Sequence, residues 1–232
     1  MDLKSGVNRP SLGKLLAMQF DQVSKDCGVA ADGAGLKVEK GETVLLTFES
    51  ERFRAAFRQM KPRSIDEIRQ LVGVSPSVAA FASAQPGATP GCGCSKPSRF
   101  RNIDELDSPE PAVRGKALSA ARLDARNYVR SGARASASQK AFLDRYVQLT
   151  DAVLNLAFLA DIEIQDGATL VIAPGTHALY ARNIRIHGSG RIVCQGPTTI
   201  NCQRINGDYK NKWTSITATP NLINNTTFLK ES

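Results

Sequence analysis

Arginine is the side chain in this sequence with the most chemistry to offer, and it recurs at usable spacings. Arg122, Arg126 and Arg130 lie four apart, which lines them along one face of a helix. Arg182, Arg185, Arg191 and Arg204 follow in the C-terminal third. A guanidinium offers a planar fork of donors to phosphate, sulfate or carboxylate. The chain carries 30 basic against 22 acidic residues, a net charge of +8. That balance suits an acidic polymer, either glycan or nucleic acid, and also suits a solvated, solubilising face.

A second candidate is the Gly91-Cys92-Gly93-Cys94 stretch. Two thiols one residue apart cannot close an unstrained disulfide with each other, but they could hold a soft metal together or cross-link subunits. Zinc would need two further ligands at a recognisable spacing, and Cys27 alone does not supply them. Five cysteines at irregular spacing fit reduced thiols better than a disulfide framework. No metal or cofactor site is therefore expected. The acidic residues Asp161, Glu163, Asp166 and Asp208 show no pairing that would bring two carboxylates together for acid–base work. No catalytic residue is assigned.

The elements that must position these residues begin with a C-terminal stretch of alternating apolar pairs. These are Ile162/Ile164, Leu170/Ile172, Leu179/Ala181, Ile184/Ile186, Ile192/Cys194 and Ile200/Cys202. Apolar residues two apart mark half-buried strands. The pairs also recur at a longer interval, Ile162 to Ile184 and Leu170 to Ile192 being 22 positions apart. This predicts three short strands per repeat, with Ile162 on Ile184, Leu170 on Ile192 and Ile172 on Cys194. A third, poorer repeat would run through Ile205, Trp213 to Ile216, and Leu222–Ile223. Cys194 and Cys202 occupy apolar slots and read as small buried hydrophobes.

Upstream, the expected fold is mainly helical, giving an α+β chain in four parts: 1–84, a Pro/Gly/Cys linker at 85–107, a helical pair at 108–160, and the repeats at 161–232. A helix from Leu12 to about Lys25 opens the first part. Leu36–Val38 and Thr43–Phe48 read as a hairpin turning at Lys40-Gly41. The face Phe53, Ala56, Phe57, Met60 reads as a helix. Ser64 and Glu67 form a capping box for a helix that stops at a left-handed Gly73. A further helix is expected from about Ser75 to Ala84. In the helical pair, the first helix runs from Ser108 to about Arg130. The second, Gln139 to Leu159, is capped by Ser136 or Ser138 and is apolar on nearly all sides, so it should be buried between layers.

Two resemblances follow from these residues. Residues 64–81, SIDEIRQLVGVSPSVAAF, resemble the helix-turn-helix of LacI-type repressors, whose second helix reads bases in the major groove. The equivalent helix here, Pro76-Ser77-Val78-Ala79-Ala80-Phe81, has almost no donors, and a packed helical hairpin is the better reading. The alternating stretch over about 162–228 resembles the right-handed parallel β-helix of pectate lyases and related polysaccharide-active proteins. That resemblance implies a short solenoid of about three coils, capped by the apolar helix 139–159. It carries over no catalytic residue.

Such a stack would end in strand edges able to pair with another copy or with a partner protein. Trp213, Leu222 and Ile223 would lie at that edge. The expectation is therefore a structural or assembly protein that self-associates. An acidic-polymer binder and a polysaccharide-active enzyme are the alternatives. With no signal-peptide-like run and no apolar stretch of membrane-spanning length, the chain is expected in the cytoplasm, or exported without a cleaved signal.

Overall fold

A computed structural model describes residues 12–29, 35–73, 102–131, 135–207 and 216–218. The chain is α+β. Its strands are β1 (Leu36–Val38), β2 (Thr43–Leu46), β3 (Phe57–Met60), β4 (Leu154–Ile164), β5 (Thr169–Ile172), β6 (Thr176–Ile186), β7 (Arg191–Cys194), β8 (Thr199–Gly207) and β9 (Ile216–Ala218). They form two sheets. One has the order β1-β4-β6-β8, with β3 antiparallel on the same edge of β4 as β1; the other has the order β2-β5-β7-β9. Every other pairing is parallel.

Register follows the spacing of the apolar residues. Leu36, Ile162, Ile184 and Ile205 are successive partners in the first sheet. Val44, Leu170, Ile192 and Ile216 are successive partners in the second. Together with Leu46, Ile164, Ile172, Ile186 and Cys194, the buried members of these ladders form one core between the sheets. Each fully buried Leu or Ile contributes about 1.5–3 kcal/mol by leaving water, so this core dominates the stability of the strand region.

The pectate-lyase-like β-helix is not what these residues build. The parallel strands belong to two sheets mixed with helices, and a repeat contains one long and one short strand where three were expected. The reason lies in β4 and β6, 11 residues each. Leu159 and Ile162 both enter the inter-sheet core, as do Ala181 and Ile184, although each pair is an odd number of positions apart. The strand therefore turns over at Ala160-Asp161 and at Arg182-Asn183 without ending. Two apolar pairs that read as separate strands, Leu179/Ala181 and Ile184/Ile186, are one bent strand.

The cap expected at 139–159 is corrected with it. The helix that begins at Ala137 ends at Thr150, and Asp151 after it takes a left-handed conformation (φ 43). Residues 155–164 then pair along β6. Residues 36–46 form no hairpin either, since β1 and β2 open different sheets. The helix expected around Phe53–Met60 is a short 3-10 segment, Glu51–Ala56, followed by β3.

Four α-helices are described: α1 (Leu12–Asp26), α2 (Ile65–Val72), α3 (Pro111–Ser131) and α4 (Ala137–Thr150). Ser136 and Gln139 form the expected capping box of α4. At α2, Ser64 accepts from the Glu67 amide, but Glu67 reaches the Arg63 amide, one residue earlier than a standard box. Gly73 is extended (φ −105), contrary to the left-handed cap expected. It is needed for a different reason: a Cβ there would stand 2.5 Å from the Val129 carbonyl oxygen and 2.6 Å from that of Arg69.

Helices α2, α3 and α4 share a core built on Ile65, Leu106, Ala117, Ala121, Ala125, Val129, Phe142 and Leu143. The small residues on α3 let its neighbours approach closely. A third cluster joins helices to strands, with Phe20 and Val23 of α1 and Leu71 of α2 over Leu154, Leu156, Phe158, Ala178 and Tyr180. Phe158 and Tyr180 stack there at 5.1 Å, and Phe20 meets the Tyr180 ring edge-on at 6.4 Å. Helix α1 packs mainly on β8 and less on β6. On α1, Gln19 Nε2 and Ser24 Oγ are enclosed without a hydrogen-bond partner. Such groups each cost about 1–3 kcal/mol.

Candidate binding surfaces

The arginines singled out by spacing do not converge. Arg122, Arg126 and Arg130 lie on α3, as their period requires, and the first two are exposed. Arg122 is close enough to Tyr146 for its charge to oppose the upward push that burial gives that phenol. Arg182 sits on β6 with its guanidinium 5.7 Å from the Phe20 ring centroid. Arg191 lies on the second sheet, where its Nε donates to Thr169 Oγ1 at 3.0 Å. Between different elements, only Arg185 and Arg204 come together, on the outer face of β6 and β8. Arg204 pairs in register with Asn183, and Arg185 with Asn206, so the two arginines are diagonal neighbours. Cys92, Cys94, Trp213, Leu222 and Ile223 lie outside the described residues, as do the helix expected at 75–84 and the second half of the helix-turn-helix-like stretch.

The outer face around Arg185 has an order of its own. Past the bend, side chains facing away from the core form two polar ladders, Lys37–Glu163–Arg185–Asn206 and Asp161–Asn183–Arg204. Asn183 Nδ2 donates to Asp161 Oδ1 at 2.6 Å, and His187 Nε2 lies 3.2 Å from Glu163 Oε1. Acidic groups thus sit on β4, while β6 and β8 carry arginine and asparagine. Charge becomes more basic toward the β8 edge. In the adjoining turn Asp166 accepts from the backbone N–H and hydroxyl of Ser189, and these bonds hold its carboxyl below the usual range. Gly188 (φ 53) allows this turn, since a Cβ there would overlap Asp166 Oδ1.

A second surface lies where helices meet strand starts. A groove of about 200 Å³ is lined by Ile65, Ile68, Val72, Val129 and Leu154, with Arg126 and His177 as its titratable groups. His177 Nδ1 accepts the Asn155 amide at 3.0 Å. Burial pushes the imidazole below its ordinary value, against a smaller opposing pull from the Gly175 backbone. It is a neutral, hydrogen-bonded histidine facing apolar walls.

The tightest titratable cluster joins the helices. Tyr128 and Lys140 both donate to the Asp66 carboxylate, the Arg69 guanidinium lies 4.9 Å over the Tyr128 ring, and Asp144 accepts the Ile65 amide at 2.7 Å. Burial works to raise the Asp66 pKa, and the bonds from Lys140 and Tyr128 outweigh it, leaving it lowered. Asp66 and Tyr128 are 62 positions apart, so no local pattern could announce this clasp. The polar ladders did have a signal, because Asp161 and Asn183 repeat at the interval of 22 shown by the apolar pairs.

Among the described residues no group of three or more His, Cys, Asp or Glu could hold a metal ion, and no helix is long and apolar enough to cross a membrane. Cys27 and Cys194 are buried enough to push their thiols up to about 11, the reverse of what a nucleophile needs. Comparison with known protein families, curated proteins and solved structures finds no match for the chain.

Proposed function

We propose that this is an assembly protein whose copies add head to tail, the β8/β9 end of one against the β1/β2 end of the next. One observation carries the reading. Among the described residues the first and last strands of both sheets are paired on one side only, and they occupy equivalent register positions. Ile205 ends the ladder that Leu36 begins, and Ile216 ends the ladder that Val44 begins. A second copy placed in the same register would set Leu36 beside Ile205 and Val44 beside Ile216, continuing both ladders. On the outer face Arg204 would meet Gly35 and Asn206 would meet Lys37, so no like charges stand opposite. Exposed edges of this kind pair readily unless blocked, and a heterologous contact of this kind closes into rings or extends into filaments.

Light scattering on a sizing column tests this at tens of micromolar. Mass should rise with concentration, and Ile205→Asp, which places a charge at the end of the ladder, should return the protein to monomer. A strict monomer, or an I205D variant that assembles like the parent, sinks the reading.

The neighbouring Arg185 and Arg204 on β6 and β8, of which only Arg185 stands beside an acid of β4 (Glu163), favour a second reading as a docking face for an acidic polymer. Affinity for heparin or single-stranded nucleic acid would then fall steeply with salt. Affinity insensitive to salt would remove it.

A further inference from the structure

The β1/β2 end of the sheets is half open and half closed. On the first sheet two strands lie end to end along the same edge of β4, β1 against Ile162–Ile164 and β3 against Leu154–Ala157. Which backbone groups of β3 face outward follows from the bonds around it. The Asn155 amide donates to His177 on β6, so Leu154 and Leu156 are the residues of β4 that turn toward β3. Their partners Met60 and Arg58 therefore carry the ladder, and Phe57 and Gln59 point their amides and carbonyls to the free edge. At Phe57 both groups are already taken. Its N–H donates to the Arg54 carbonyl. Its carbonyl accepts from Arg58 Nη1 at 2.7 Å, and the same nitrogen reaches the Ala55 carbonyl at 3.0 Å. Among the described residues no side chain bonds the backbone of β1 or β2, the nearest such bonds falling at Glu39 and Glu49.

We propose that β3 is the other half of the joint between copies, and that Arg58 guards it. The inference rests on the head-to-tail reading and deepens it. Phe57, Ala157, Leu179 and Ile200 are successive partners in the first sheet, all buried in the inter-sheet core. The register that sets Leu36 beside Ile205 of the preceding copy therefore sets Phe57 beside Ile200 of that copy, with both side chains turned inward. The incoming β8 runs parallel to β1 and antiparallel to β3, as β4 does within the chain. That pairing needs the outward carbonyl of Phe57, which Arg58 holds. A charged group laid across a strand edge is one of the devices that keep edges from pairing. An added copy thus engages β1 and β2 freely, while closure of Thr199–Cys202 over β3 requires Arg58 to leave its two carbonyls. The guard weakens the joint without abolishing it.

The test removes the guard from the full chain. Arg58→Met keeps an unbranched stem without donors, and Arg58→Ala removes the stem as well. Arg54→Ala is the control, because Arg54 is exposed in the adjoining 3-10 segment and its loss takes away the same charge without freeing the Phe57 carbonyl. Thermal melts at low concentration establish that each variant is folded, and the Met variant decides if the Ala variant is not. Light scattering on a sizing column then gives the concentration of half-assembly. Freeing the Phe57 carbonyl should lower that concentration about tenfold in both Arg58 variants, the scale of one charge-assisted hydrogen bond. Arg54→Ala should stay with the parent. Folded Arg58 variants that assemble no more readily than an assembling parent, or an Arg54→Ala gain equal to theirs, overturn the guard and leave head-to-tail addition standing. A monomeric parent with assembling Arg58 variants upholds the guard and overturns head-to-tail addition of the native chain. Monomers throughout overturn both.

Discussion

The two halves of strands β4 and β6 live in different surroundings, although each strand is continuous. Before the bend, from Leu154 to Leu159 and from Thr176 to Ala181, both faces are covered. One side enters the inter-sheet core, and the other lies under α1 and α2. After the bend only the inward residues Ile162, Ile164, Ile184 and Ile186 are buried, while Asp161, Glu163, Asn183 and Arg185 face outward. The bend is what permits both. It lets one strand serve as a central element between two layers and then as a half-exposed one with a polar ladder. Coverage by the helical layer, more than strand propensity, sets the difference.

The largest test of that contrast is Phe158→Ala in the doubly covered half. It removes the ring stacked on Tyr180 and should cost about 3–5 kcal/mol in denaturant unfolding. A loss under about 1 kcal/mol would mean that the helices do not pack on the strands as described. Gly73→Ala comes next. The added methyl meets the Val129 and Arg69 carbonyls, and a cost of about 1–3 kcal/mol is expected as α2 and α3 are forced apart. Ile184→Val in the singly covered half should cost about 0.5–1.5 kcal/mol. Parity with Phe158→Ala would erase the contrast.

Acidity separates the halves as well. His177, at the covered end, is held neutral by burial, so the folded protein binds its proton less readily than the unfolded chain. Its contribution is complete above about pH 6.5 and is lost as pH falls through the lowered folded value. Asp66 and Asp166 act by the same sign at lower pH. Their depressed carboxyls contribute above about pH 4 and cease to as pH falls through their folded values. His177→Gln should flatten the stability profile below about pH 6.5, measured by thermal melts at a series of pH values; an unchanged slope would reject the assignment. Smallest of all, Arg185→Gln with Arg204→Gln should change stability by less than about 0.5 kcal/mol while weakening heparin retention. Unaltered retention would leave that face without a role in anion binding.

The same contrast explains what the sequence made legible. Past the bend one face is wet, so residues alternate, and Ile162/Ile164 and Ile184/Ile186 could be placed in strands with the right partners. Before the bend both faces are dry. Leu154, Leu156, Phe158 and Leu159 then form a nearly unbroken apolar run whose periodicity cannot separate strand from buried helix. In sequence it reads as the end of the helix starting near Gln139. The stop at Asp151 is a left-handed conformation of a residue type that only sometimes adopts one. The two-sheet arrangement stayed hidden because a bend that keeps backbone pairing looks in sequence like a gap between strands. The arginine stripe on α3 was legible, since its period is local. The Asp66–Tyr128–Lys140 clasp was not, because its members meet only after three helices have packed.

Cys194 and Cys202 sit in the core between the sheets, where burial keeps the Cys194 thiol protonated and pushed up to about 11. Two small sulfur-bearing residues in that position give the protein an internal clock. An alkylating reagent can reach them only when the sheets part, so the labelling rate under native conditions counts separation events rather than surface fraying. If copies lock together end to end, that clock should slow as the protein is concentrated, with no change in any residue near the sulfur atoms.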